Sequence, residues 1–151
     1  MNKKLFSLSL LVACVLSGSV MGAGSPPRYY AFSGSFTADN ISSAGVLFSG
    51  VAGSNVEGYQ IKGGSSSSAA KHYQGWYSLT FMPVGSPATF SFVAWNEGYQ
   101  CAYKASVVGN MLSIKVDESS SQGAQCSLDP TAPIDINNAT SQLPTLQIVE
   151  K

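Results

Sequence analysis

Charge is what this chain has least of. Asp, Glu, Lys and Arg make up 11% of its 151 residues, against about 25% in ordinary soluble proteins. That scarcity excludes functions built on a charged field. Beyond the first few residues the cations Arg28, Lys62, Lys71, Lys104, Lys115 and Lys151 are scattered singly, whereas nucleic-acid binding wants a basic patch or stripe. Electrostatic docking on anionic lipid fails for the same reason. Histidine occurs once, as His72, and cysteine three times; no second cysteine pair and no histidine cluster offers a zinc site. No apolar run reaches the roughly 20 residues that span a bilayer.

Other chemistry is missing as well. No Gly-x-Ser-x-Gly elbow marks an activated serine, and Gly63-Gly64 lacks the lysine of a phosphate loop. Asp117 and Glu118 are adjacent, so in a strand they would point to opposite faces, while a glycosidase needs two carboxyls flanking one bond. Asp129, Asp135, Asn137 and Asn138 lack the spacing of a calcium loop. No metal and no cofactor is expected. With 25 serines in the chain, one near His72 is expected by chance, so a hydrolase using His72 is the weak enzymatic alternative to a protein that is not an enzyme.

What is present begins with an address. Met1-Asn2-Lys3-Lys4, an apolar run from Leu5 to Leu16, and small residues through Ala23 are the three parts of an export signal. The expected mature domain is 24–151, with cleavage near Ala23 or Gly24, and the signal reads as bacterial. Its ambiguity is Cys14: Leu11-Val12-Ala13-Cys14 resembles a lipoprotein cleavage box, so the alternative to a periplasmic or secreted product is an acylated, envelope-anchored one. Either fate leaves Cys101 and Cys126 to pair in an oxidising compartment. Loss of Lys3 and Lys4 leaves six basic against eight acidic residues, a net charge of about −2. The sequon Asn138-Ala139-Thr140 is read as coincidence in a bacterial protein.

Seven Tyr, seven Phe and two Trp argue for a packed domain, and apolar residues recur at period two. The expected fold is all-β and antiparallel, a sandwich or partly open barrel of about six to nine strands with one disulfide. Tyr30, Phe32 and Phe36 share a face of a first strand. A second lies around Val46-Leu47-Phe48 and a short third over Val56–Lys62, followed by a flexible Gly-Ser loop from Gly63 to Ser68. Tyr73, Tyr77, Leu79 and Phe81 alternate on one face of a further strand. Turns at Glu97-Gly98 and Gly109-Asn110 set two registers: Ala94, Phe92 and Phe90 opposite Cys101, Tyr103 and Ala105, then Val107, Ala105 and Tyr103 opposite Leu112, Ile114 and Val116. Glu118–Gln125 reads as a polar loop, 129–145 as a Pro-rich irregular segment, and Ile134–Ile136 and Leu146–Val149 as edge strands.

The octapeptide Phe92-Val93-Ala94-Trp95-Asn96-Glu97-Gly98-Tyr99 resembles a hairpin of the avidin family of biotin-binding barrels. That family's further tryptophans and polar biotin ligands are not evident here, and no binding residue is carried over.

The aromatics are the functional lead. Trp76 and Trp95 both fall on faces opposite the apolar one, and with Tyr73 and His72 they form the candidate binding set, two indoles able to make a stacking platform. The leading function is a non-catalytic exported domain binding a protein, a glycan or an envelope component. The alternatives are a periplasmic inhibitor or immunity-type protein, using Gly63–Ala70 or Glu118–Gln125 as a plug, and a barrel holding a small ligand inside. The intact mass of the mature protein tests its N-terminus: we expect loss of the signal near Ala23, and a diacylglyceryl adduct on Cys14 would show the anchored form instead.

Overall fold

The computed structural model describes residues 28–42 and 45–151. The export signal Met1–Ala23, with Cys14, lies outside the described residues. Ten strands follow in chain order: β1 (Tyr30–Asp39), β2 (Leu47–Ala52), β3 (Val56–Ala69), β4 (His72–Pro83), β5 (Ala88–Trp95), β6 (Gln100–Val108), β7 (Met111–Val116), β8 (Ala124–Asp129), β9 (Ile134–Asp135) and β10 (Thr145–Glu150). They form two five-stranded sheets: sheet I in the order β3-β4-β1-β10-β8, and sheet II in the order β2-β5-β6-β7-β9. The two layers make a sandwich, and the two-residue β9 takes the strand count just past the expected range.

Sheet II contains the predicted meander. Phe92 pairs with Tyr103 and Ala94 with Cys101, and Ala105 pairs with Ile114 and Val107 with Leu112. Glycine is needed at one of the turns: Gly109 has φ +62° while Asn110 keeps a negative φ, the pattern of a type II′ hairpin. The octapeptide that resembles an avidin hairpin is a hairpin here, but in an open two-layer fold. Cys101 on β6 is bonded to Cys126 on β8, with Cα atoms 5.7 Å apart, and so links the two sheets.

Alternation sends one aromatic set inward from each sheet, and the rings meet in a continuous slab. Phe36, Phe48, Tyr77, Phe92 and Tyr103 contact in sequence at centroid distances of 5.4, 6.0, 5.8 and 4.9 Å. Phe81 and Phe90 (5.0 Å) join the sheets again farther along. Tyr77 is fully buried, and its hydroxyl donates a hydrogen bond of 2.6 Å to the Pro144 carbonyl. The charged residue buried in this architecture, Glu150, is held by the Ser42 hydroxyl at 2.6 Å and the Ser42 backbone N–H at 2.9 Å.

Three expectations need correction. The Gly-Ser segment is strand, not loop: Gly63 to Ser67 pair residue by residue with Tyr77 to Tyr73. Packing requires Gly63, since a Cβ there would run into the Phe48 ring, and favours Gly64, where one would crowd the Trp76 indole. Second, Leu146–Val149 is no edge. β10 lies between β1 and β8 and runs parallel to β1, with Phe36 paired to Leu146. Leu146 and Ile148 are fully buried while Gln147 between them is exposed, so β10 gives one face to the core and the other to solvent. Third, both ends of the Glu118–Gln125 loop are ordered: Glu118–Ser120 is one 3-10 turn, and Ala124 and Gln125 begin β8, one of the two edges of sheet I.

Two tyrosines provide a matched test of the core. Tyr77→Phe strands the buried Pro144 carbonyl and is expected to cost about 1–3 kcal/mol. The Tyr103 hydroxyl has no partner among the described residues, so Tyr103→Phe should be neutral or stabilising. Urea unfolding of the two variants checks both.

Candidate functional site

Because Tyr77 faces inward, its neighbours on β4 must face outward. Gln74, Trp76, Ser78 and Thr80 therefore stand on the outer face of sheet I. Trp76 is 51% exposed. It is paired with Gly64 on β3 and with Ser35 on β1. A Cβ built on Gly64 would lie 3.0 to 3.4 Å from the indole atoms Nε1, Cε2 and Cζ2, so this side of the ring packs against the bare backbone of β3. The surface beside the ring is an open depression of about 450 Å³ bordered by Ser35, Thr37, Ser66 and Gln74.

These neighbours are hydroxyls and an amide, with no charge among them. The row through Trp76 continues to Ser35 and Thr145, whose hydroxyls are 3.1 Å apart. Charges stand only at the margins: Lys62 on one side of the indole along the strands, Asp129 at the end of that row, and His72 with Asp39 on the other side.

His72 Nδ1 lies 2.5 Å from Asp39 Oδ1, both side chains being about half exposed. That is the His-Asp half of a triad, but Ser68 donates to the His72 backbone carbonyl at 3.4 Å and not to the ring. Tyr73 points the other way and packs, partly buried, against the core.

Trp95, 36% exposed, is on the opposite side of the molecule, on the outer face of sheet II beside Leu47 of β2. The four candidates are thus divided. His72 and Trp76 share a face, Tyr73 belongs to the interior, and Trp95 cannot join Trp76 in one platform. The outer face of sheet II also carries a groove of about 660 Å³ between Val51 and Lys115. Lys104 and Lys115 stand directly opposite one another there, an unfavourable pairing, and Asp117 reaches Lys104 at 3.4 Å. Asp117 is held below the usual carboxylate range, first by the Ser119 hydroxyl and to a lesser degree by Lys104.

Four tyrosine hydroxyls (Tyr59, Tyr77, Tyr99 and Tyr103) are pushed well above the ordinary tyrosine value by burial. None is available for acid–base work near neutral pH. Among the described residues no group of three or more His, Cys, Asp or Glu could hold a metal ion, and no described helix is long and apolar enough to cross a membrane.

Sequence reasoning singled out Trp76 but missed its surroundings. The alternation that exposes Trp76 also exposes Gln74, which was legible. Ser35, Thr37, Ser66 and Gly64 arrive from β1 and β3, and only the strand order brings them there. The seat of the indole is testable: Gly64→Val should lift the ring off β3 into water. In a Trp95→Phe background we expect red-shifted Trp76 emission and stronger acrylamide quenching, with the far-ultraviolet circular dichroism unchanged.

Compared with protein families, curated proteins and solved structures, the chain gives no significant match to any family, protein or structure.

Proposed function

We propose that this chain is an exported, non-catalytic binding domain that takes a neutral glycan on the outer face of sheet I, with Trp76 as the stacking platform. One observation carries the reading: a half-exposed indole packs beside Gly64 and borders an open depression lined by uncharged hydroxyl and amide groups. A pyranose presents an apolar C–H face and a rim of hydroxyls. The ring offers contact area to the first at low entropy cost, and Ser35, Thr37, Ser66 and Gln74 can both donate to and accept from the second. A charged partner would find no complement at this centre.

The support for export is the disulfide, which suits an oxidising compartment, together with the N-terminal sequence pattern. The other readings have less to stand on. A plug at Gly63–Ala70 loses its loop to β3, and a ligand inside the fold would compete with the aromatic slab for the space between the sheets. A hydrolase would need a nucleophile at the His72 ring, where the observed neighbour is a carboxylate.

Tryptophan fluorescence against a panel of neutral oligosaccharides tests the proposal. At least one should shift the emission of the wild type and of Trp95→Phe. Trp76→Ala should weaken binding about tenfold or more, a loss of roughly 1.4 kcal/mol. Unchanged emission across the panel, or binding lost with Trp95 and kept without Trp76, would overturn it.

A further inference from the structure

Two transverse rows of side chains cross the outer face of sheet I. Register places Ser66 of β3 beside Gln74 of β4, then Thr37 of β1, Gln147 of β10 and Ser127 of β8. This row crosses all five strands, all five residues are exposed, and none is charged. The neighbouring row holds Gly64, Trp76, Ser35 and Thr145 before it ends at Asp129. Ser127 donates to Gln147 Oε1 at 3.1 Å, which orients that amide and leaves its NH₂ free to donate.

We infer that the ligand is a single extended, equatorially linked neutral polysaccharide chain that lies across the strands, not a terminal sugar. The inference rests on the glycan reading above and adds its length and direction. Adjacent strands are about 4.8 Å apart, close to the length of one pyranose residue in such a chain. A chain crossing the sheet therefore meets one hydroxyl or amide side chain per sugar. The two rows are about 6.7 Å apart along the strands, so a sugar stacked on Trp76 at one row keeps hydroxyls within reach of Gln74 and Thr37 in the other.

A chain running along the strands would instead leave the neutral zone within a few residues. In one direction it meets Lys62, and in the other the His72–Asp39 pair. Successive strands are also rotated by about 20°, so the row follows a twisted line. A single soluble chain can follow that line by rotating at its linkages, whereas the flat face of a crystalline polysaccharide cannot.

Calorimetric titration of the mature protein with soluble cello-, xylo- and chito-oligosaccharides, from disaccharide to hexasaccharide, tests the inference. Affinity for one of these series should rise with each added sugar and level off at five or six, the span of the five strands. Gln147→Ala and Ser127→Ala, whose side chains lie on β10 and β8, strands that do not adjoin β4, should weaken the hexasaccharide roughly three- to tenfold and leave the disaccharide unchanged. If disaccharide and hexasaccharide bind equally and both depend on Trp76, the extended-chain inference fails and the glycan platform stands. Binding only to the crystalline polymer also defeats the inference. If no oligosaccharide binds and Trp76 emission is unmoved, both readings fall.

Discussion

The inward placement of Tyr77 is the constraint on which the rest of this structure depends. Its ring contacts Phe48 and Phe92 from sheet II, and its hydroxyl bonds the carbonyl of Pro144 just before β10. One side chain thus joins the two layers and anchors the approach of the C-terminal strand. Its burial leaves β4 no freedom of register, because a slip of one residue would put the tyrosine in water and the neighbouring tryptophan in the core. The exposure of Trp76 is the counterpart of the burial of Tyr77. A feature of the interior therefore produces the surface feature on which the proposed function rests.

The low charge content has a structural consequence beyond the partners it excludes. With few ionic groups available, the outer faces are covered by serine, threonine and glutamine, which pair with one another across strands, as Ser35 does with Thr145 and Ser127 with Gln147. Sheet I keeps its centre neutral and places ions at its borders, whereas sheet II sets two lysines side by side. The two outer faces thus differ in chemistry although both belong to alternating strands. The neutral face is also the one with an indole seated on glycine.

The central meander was legible because its information is local. Each hairpin register follows from a turn at a fixed place and from the need to keep Phe90, Phe92, Tyr103 and Ile114 on one side. The Gly-Ser segment was illegible for the converse reason. Gly63 to Ser68 has the composition of a linker, and it is strand only because β4 supplies its hydrogen bonds and because Phe48 and Trp76 need the space that two glycines leave. β10 was misplaced at an edge because nothing in Leu146–Val149 announces a parallel pairing with a strand more than a hundred residues earlier in the chain.

From the sequence alone came an all-β fold, the Cys101–Cys126 pair, the register of two hairpins and the outward direction of Trp76, all set by alternation and by turns between neighbours in the chain. Strand order was decided by the tertiary structure. It put Trp95 on the far side from Trp76, and drew Ser66, Gln74, Thr37, Gln147 and Ser127 from five separate strands into one line. The physical reason is that a strand fixes which face each of its residues takes, but its lateral neighbours are chosen by packing of the whole, and a surface that crosses strands exists only once those neighbours are chosen.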